Sequence, residues 1–242
     1  MYSYSNEEFR ETFQELYRQL TFRKNSVANP KGYLLGGQPG SGKTTLQKIL
    51  KNKDSNIVII DGDTFRQYHP RYEEIIRTED DYVPYTQAFC NKMVEKLIDE
   101  LSNARFNLVI EGTLRTCDVP LHTAATLKDK GYGVELWIMA VPPELSWQGT
   151  KDRYDAMNEL GMNPRFTTRE HHDRVVNAIA SNLDFLYKQQ IFDDIRMYNR
   201  QQECLYSYGE NMNQNPARLL NTILETELQV ENIKKSNKRR GR

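Results

Sequence analysis

Short apolar runs alternate along this chain with longer segments whose apolar residues recur every three or four positions. The runs lie at 33–35, 56–60, 106–110, 134–141 and 195–198. Each is followed by Gly, Asp, Glu, Pro or Asn, so each predicts a strand that ends at that point. The β-branched run at 56–60 is typical of a strand covered on both faces.

Between the strands, apolar residues recur at the spacing of amphipathic helices. The predicted helices cover 6–20, 45–50, the segment from Pro84 to Leu101, 119–130, the segment from Glu144 to a break at 161–164, 169–190 and 216–233. Ser5 and Glu8 form a capping-box pattern at the first helix, and Gly131 is typical of a helix stop. This alternation predicts the α/β class, with a mostly parallel, doubly wound sheet flanked by helices and extended by further helices.

Composition narrows the class of protein. Lys+Arg and Asp+Glu each number 33 in 242 residues, so the zero net charge argues against nucleic acid or an acidic membrane as partner. We find no apolar stretch of membrane-spanning length and no signal-peptide pattern, and therefore expect a cytoplasmic protein. Without repeats or a long linker, residues 1–233 are predicted to form a single domain, followed by a basic, disordered tail at 234–242. The scattered Cys90, Cys117 and Cys204 are expected to be reduced, buried thiols.

The most specific motif follows the first predicted strand. Residues 37–44 fit the P-loop pattern G-x-x-x-x-G-K-[ST], and the strand before them and the helix after them argue against a chance glycine-rich turn. Backbone N–H groups of such a loop cradle phosphates at a helix N-terminus, Lys43 reaches the β- and γ-phosphates, and the Thr44 hydroxyl holds Mg²⁺. The pattern predicts ATP or GTP binding. The expected nucleotide-binding residues are Gly37, Gln38, Pro39, Gly40, Ser41, Gly42, Lys43, Thr44 and Thr45.

Carboxylates follow the next two predicted strands. Asp61 and Asp63 come after the second strand, and Glu111 comes after the third. The carboxyl ends of parallel strands meet at one edge of a sheet, so either Asp61 or Glu111 is placed to face Mg²⁺. Asp63 is placed to accept a proton from a substrate hydroxyl, although capping a helix from Thr64 explains it equally well.

Two further groups of residues allow more than one interpretation. Arg153 and Arg165 flank the predicted helix break, and their guanidinium forks suit phosphate oxygens, but their spacing alone favours a solvated charged face. His171 and His172 point about 100° apart around a helix, which disfavours a shared metal and indicates a structural or surface role.

Several segments together resemble one known family, the zeta toxins of bacterial epsilon–zeta toxin–antitoxin systems. The segments that carry the resemblance are 34–45, 56–66 with His69-Pro70, 110–116, 143–146, 153–154 and 170–173. They occur in the family's order over about residues 30 to 200. The resemblance implies a toxin kinase that uses ATP and Mg²⁺ to phosphorylate a sugar hydroxyl of UDP-N-acetylglucosamine. Its product blocks early peptidoglycan synthesis.

The resemblance also assigns roles by position. It makes Lys43 and Thr44 the phosphate and Mg²⁺ residues and Asp63 the catalytic base. It makes Arg153 and Arg165 the arginines that contact ATP phosphates. The lining of the sugar-nucleotide pocket is then Glu111, Thr113 and Arg115. The family match at Arg165 is weaker, because the segment 161–168 departs from the family pattern. The resemblance further implies a small epsilon-type antitoxin whose helix covers the nucleotide site, in a heterotetramer of two toxins and two antitoxins.

The sequence leaves two alternative functions open. One is a P-loop kinase for another small alcohol or for a nucleic-acid end, which the six Lys or Arg residues in 234–242 support, although such tails are usually solvated. The other is a nucleotide switch that acts by binding a partner. The switch is disfavoured because the guanine signature Asn-Lys-x-Asp is missing: Asn52-Lys53-Asp54 has its acid one place too early.

Overall fold

A computed structural model of the chain describes residues 2–211 and 214–226. The strands within them are β1 (Lys31–Gly36), β2 (Ile57–Ile60), β3 (Asn107–Glu111), β4 (Gly133–Met139), β5 (Asp194–Tyr198) and β6 (Cys204–Ser207). They form a six-stranded sheet in the order β2-β3-β1-β4-β5-β6. Neighbours among β1 to β5 are parallel, and β6 pairs antiparallel with β5. The predicted α/β class with a mostly parallel, doubly wound, P-loop kinase-like sheet is confirmed.

Helices connect the strands and cover both faces of the sheet. They are α1 (Asn6–Thr21), α2 (Thr44–Lys53), α3 (Tyr72–Thr78), α4 (Val83–Asn103), α5 (Asp118–Asp129), α6 (Pro143–Glu159) and α7 (Arg169–Gln189), with a 3₁₀-helix over Gly62–Tyr68. Residues 216–226 are also helical, which confirms that part of the predicted terminal helix. Its remainder at 227–233 and the basic tail at 234–242 lie outside the described residues.

Local signals set the helix ends as predicted. At the start of α1, the Glu8 backbone N–H donates to Ser5 Oγ at 3.1 Å, and the Ser5 N–H donates to Glu8 Oε2 at 2.7 Å. This reciprocal pair is a capping box, which satisfies two N–H groups that the helix leaves free. Gly131 follows α5 with φ at 78°, a conformation that suits glycine and ends the helix.

The sheet separates a large apolar cluster from a smaller one, because successive side chains of a strand point to opposite faces. On β1, Leu34 belongs to the larger cluster and Leu35 to the smaller one. Helices α1, α4, α5 and α7 supply the larger cluster, and α2 supplies the smaller one. The apolar residues that recur along α4 are buried; they are Phe89, Met93, Leu97 and Leu101. Among the described residues, no helix combines the length and the apolar character needed to cross a bilayer.

Three features differ from expectation. The strand β6 was not predicted: it is four residues long and pairs at the sheet edge, which leaves little hydrophobic signal. No element was predicted within residues 66–83, which form the end of the 3₁₀-helix, α3 and the start of α4; the buried Ile75 holds α3 to the fold. The expectation of three buried thiols is wrong for Cys204, which is exposed, and for Cys117, which is half-buried; Cys90 is buried, and all three are free.

The strand order determines where a ligand is expected. After β1 the chain crosses to β2 at the edge and returns through β3, whereas β4 lies on the other side of β1. This reversal is a topological switch point, and open α/β sheets bind ligands in the crevice beyond the carboxyl ends of strands at such a point. The P-loop, Asp61, Asp63 and the segment from Glu111 all follow strands that end at this crevice.

Phe89 tests the packing of α1 onto α4. Its buried ring lies 5.7 Å from the ring of Phe9 and 5.3 Å from that of Tyr4. Phe89→Ala is expected to lower the free energy of unfolding by about 3–5 kcal/mol in urea denaturation, because it leaves a cavity. The matched control is Glu95→Ala at an exposed position of the same helix, expected to change stability by less than about 0.5 kcal/mol. Similar values for the two variants would contradict this account of the core.

Candidate active site

The loop between β1 and α2 is shaped by glycines. Gly37 and Gly40 have φ values of 150° and 71°, which side chains disfavour. A Cβ on Gly37 would lie 2.7 Å from Ser41 Oγ, and one on Gly40 would lie 2.6 Å from the Thr150 backbone nitrogen. Gly40 is therefore needed for the loop to approach α6 closely. The predicted P-loop conformation, leading into the N-terminus of α2, is present.

Polar groups of this loop are arranged to receive an anion. Ser41 Oγ is buried and has no hydrogen-bond partner among the described residues, so a phosphate oxygen would satisfy it. Gln38 instead fixes the loop, since its Nε2 donates to the Val141 carbonyl at 2.6 Å. Thr44 is exposed at the first position of α2. These features fit a phosphate-bearing ligand.

Lys43 and Glu111 join the P-loop to β3. Lys43 Nζ lies 3.7 Å from Glu111 Oε1 and donates to the Gly37 carbonyl at 3.1 Å. Glu111 Oε2 accepts a 2.6 Å hydrogen bond from Gln47 Nε2 of α2. Burial lowers the pKa of Lys43, although the Glu111 carboxylate acts in the opposite direction. Glu111 therefore lies on the P-loop side of the crevice.

Asp61 and Asp63 take different roles after β2. The Asp63 N–H donates to Asp61 Oδ1 at 3.1 Å, so Asp61 caps the 3₁₀-helix and the alternative that made Asp63 the cap is wrong. Burial, and next the negative charge of Glu111, raise the pKa of Asp61 to about 6. The Asp63 side chain is 42% exposed.

The two predicted arginines lie at the same crevice. Arg165 Nη1 forms an ion pair with Asp63 Oδ2. Arg153 Nη2 donates to Thr167 Oγ1 at 3.3 Å, while its buried Nε has no partner among the described residues. An anion between the two arginines would accept a hydrogen bond from that Nε. The predicted helix break is confirmed, since α6 ends at Glu159.

The segment after β3 forms a left-handed turn that is anchored to α7. Leu114 is buried with φ at 55°, and its carbonyl accepts a 2.8 Å hydrogen bond from Asn182 Nδ2 of α7. This anchored turn leaves Thr113 half-buried and Arg115 exposed on either side. Burial, followed by the charges of Arg165 and Arg115, lowers the pKa of His171.

The site thus collects three cations and three carboxylates. They are Lys43, Arg153 and Arg165 with Asp61, Asp63 and Glu111. No group of three or more His, Cys, Asp or Glu side chains in the described part of the chain could hold a metal ion. A Mg²⁺ ion here would depend on Thr44, a single carboxylate and the oxygens of its own ligand. Guanidinium and ammonium groups facing carboxylates across a crevice suit phosphoryl transfer to a hydroxyl.

One residue that supports the site gave no sequence signal. Arg200, in the turn between β5 and β6, donates from Nη2 to the carbonyls of Gly40 and, at 3.1 Å, Leu145; its Nε donates to the Ser41 carbonyl at 3.3 Å. It therefore ties the P-loop to the start of α6. Its P-loop partners lie about 160 positions away in the chain and Leu145 lies 55 away, all beyond the reach of local patterns.

His172 confirms the structural role expected for one of the two histidines. Its Nε2 lies 2.8 Å from Ser146 Oγ of α6, and its Nδ1 lies 2.9 Å from Asp173 Oδ1. Ser146 and His172 are both fully buried, so this Ser-His-Asp arrangement is closed to substrates. It joins α6 to α7 instead.

Comparisons with known proteins agree with this geometry. A family model described as "Zeta toxin" matches residues 14–211. Toxin PezT of Streptococcus pneumoniae is 46% identical over 211 residues, covering 86% of this chain and 83% of that protein. Toxin zeta of Streptococcus pyogenes is 39% identical over 234 residues, covering 96% and 82%. A solved structure from the PezAT chromosomal toxin–antitoxin system of Streptococcus pneumoniae superposes with a TM-score of 0.84 at 39% identity, covering 98% of this chain and 97% of that chain.

These matches span the P-loop, the ends of β2 and β3, and the segments that carry Arg153 and Arg165. They extend across almost the whole described fold rather than the P-loop alone. The resemblance read from the motifs is confirmed, and the chain belongs to the zeta toxin family.

Proposed function

We propose that this chain is a toxin kinase that transfers the γ-phosphate of ATP to a sugar hydroxyl of UDP-N-acetylglucosamine and so blocks early peptidoglycan synthesis. The observation that carries the proposal is the position of Asp63. Its half-exposed carboxylate pairs with Arg165, whose charge, like that of Arg153, acts on the P-loop lysine. Membership of the zeta toxin family supports the toxin activity.

The nucleotide half of the site is assigned to the P-loop. Residues 37–45 cradle the phosphates of ATP, and Lys43 exchanges its contact with Glu111 for the β- and γ-phosphates. Arg153 and Arg165 bind the transferring phosphoryl group, as the unpartnered Arg153 Nε supports. Mg²⁺ held by Thr44 would neutralise charge on the phosphate oxygens.

Asp63 is assigned the role of general base. A sugar hydroxyl is a poor nucleophile at neutral pH, and a carboxylate within reach removes its proton as the new P–O bond forms. Asp61 provides the helix cap, so Asp63 is not needed for capping. Either Asp61 or Glu111 remains placed to face the Mg²⁺ ion.

The acceptor half is assigned to Glu111, Thr113 and Arg115. The left-handed turn at Leu114 directs the last two residues away from the core. A guanidinium at this position suits the diphosphate of a sugar nucleotide. Another small alcohol would suit the same base, so the acceptor is the part of the proposal that needs a direct test.

An antitoxin partner completes the proposal. The matching solved structure belongs to a toxin–antitoxin system. We assign this chain a cognate epsilon-type antitoxin that covers the nucleotide site, in a heterotetramer of two toxins and two antitoxins. The proposed place of action is the cytoplasm.

Direct transfer tests the function. Incubation with ATP, Mg²⁺ and UDP-N-acetylglucosamine is expected to yield a monophosphorylated sugar nucleotide by mass spectrometry. The matched control is Lys43→Ala, which removes the ammonium group of the P-loop and is expected to form no product. A product with another alcohol or a nucleic-acid end, and none with this sugar nucleotide, would contradict the proposed acceptor.

Asp63→Asn tests the base. The substitution keeps the shape and removes the charge, and is expected to lower kcat by about two orders of magnitude or more while ATP binding persists. The control is Asp129→Asn, an exposed position at the end of α5, which should keep full activity. Full activity of the Asp63→Asn variant, or recovery with Mn²⁺, would exclude the base.

Arg115→Ala tests the acceptor side. Because Arg115 lies beyond the turn at Leu114, on the segment after β3, we expect a higher KM for UDP-N-acetylglucosamine and a nearly unchanged KM for ATP. Steady-state kinetics with each substrate varied in turn measures both. Equal increases in the two KM values would place Arg115 on the ATP side instead.

A further inference from the structure

Arg66 is a buried cation outside the set of residues assigned to the proposed reaction. It lies in the 3₁₀-helix, and its side chain is only 5% exposed. Nε and Nη2 donate to Asp63 Oδ1 at 3.2 and 3.1 Å. Nη2 also donates to Gln87 Oε1 at 2.8 Å, while Nη1 donates to Thr86 Oγ1 at 3.0 Å and to the Val83 carbonyl at 3.2 Å. All three guanidinium nitrogens are thereby bound.

Burying the Arg66 guanidinium costs free energy of desolvation. Removing a guanidinium from water costs several kcal/mol, and only good geometry repays it. The fork is held by three groups at the start of α4, a helix fixed by the core through Phe89. A planar group fixed in this way holds its carboxylate in a defined orientation, which a flexible surface lysine would not do.

The two carboxylate oxygens of Asp63 therefore have different partners. Oδ1 is bound from within the fold by Arg66. Oδ2 is paired only from the crevice, by Arg165 of the loop before α7, among the residues that the structure describes. The other charged neighbour is Asp61, which accepts the Asp63 N–H. A ligand that draws Arg165 onto a phosphate would therefore free Oδ2 and leave Oδ1 held.

We propose that Arg66 is the positioning residue for Asp63: it holds Oδ1 so that Oδ2 is the oxygen that takes the substrate proton. This inference rests on the proposed function. In the step it serves, the acceptor oxygen bonds to the γ-phosphorus, the bond from phosphorus to the β–γ bridging oxygen breaks to release ADP, and the hydroxyl proton moves to Oδ2. Arg66 touches neither substrate and acts through Asp63.

The first test is a double-mutant cycle. Arg66→Lys keeps the charge but loses the fork, and is expected to lower kcat about 10-fold to 100-fold with both KM values within about twofold. In the Asp63→Asn background the same substitution should have no further effect, because coupled residues are not additive. The control is Arg77→Gln, an exposed arginine on α3 paired with Glu73, which should leave kcat unchanged.

A milder variant covers the case in which Arg66→Lys does not fold. Gln87→Ala removes one acceptor of the fork at an exposed position and leaves the arginine in place. It is expected to lower kcat a few-fold with an unchanged melting temperature, and to lose that effect in the Asp63→Asn background. An equal loss in both backgrounds, or unchanged kcat in the folded variants, would overturn the assignment.

A readout independent of substrate separates this inference from the proposed function. Removing a cation beside a carboxylate favours the protonated acid. Carbon-13 NMR of the Asp63 carboxyl should therefore show its protonation midpoint at higher pH in Arg66→Gln than in the wild type. If the wild type does not phosphorylate UDP-N-acetylglucosamine, the proposed function fails while this shift sustains the Arg66–Asp63 coupling. No shift would overturn the coupling whatever the acceptor.

Discussion

The close approach of the phosphate-binding loop to α6 is the contact on which the positions of the other site residues depend. It exists because Gly40 has no side chain, and Gly149 of α6 leaves the matching space for Arg200. From there α6 carries Arg153, and the buried Ser146–His172 hydrogen bond fixes α7 against it. The segment between these helices carries Arg165. A single backbone contact thus aligns both arginines with the phosphate site.

The charges of the site are balanced in pairs that a phosphate ligand would rearrange. Lys43 faces Glu111, and Arg165 faces Asp63. Burying such groups costs free energy that each pair offsets only in part, and the raised pKa of Asp61 reflects both its burial and the neighbouring charge of Glu111. A polyanion would give the cations stronger partners and release the carboxylates for metal binding and proton transfer. We therefore regard the pairs as a resting arrangement.

Features encoded within a few residues could be predicted from the sequence. The strands of the parallel sheet, the P-loop and the capping box at Ser5 depend on local patterns. The place of Asp63 after a strand left two roles open, and the role of base comes from the family resemblance and stays a proposal. The support of the site depends on partners far apart in the chain. Arg200 reaches Gly40 across 160 positions, and β6 exists only through pairing with β5. Arg66 lies in the segment 56–66 that carries the family resemblance, but its contacts depend on α4, which no spacing reveals.

The site also divides into a fixed half and an adjustable half. Arg66, Arg200 and His172 hold Asp63, the P-loop and α7 through buried or multiple hydrogen bonds. The proposed acceptor side has less support, since Arg115 is exposed and its turn is anchored at Leu114. Side chains in such positions change at little cost to stability. The groups proposed for phosphoryl transfer therefore lie in the firmly held part of this fold, whereas the residues proposed to select the acceptor lie in segments that can vary without disturbing it.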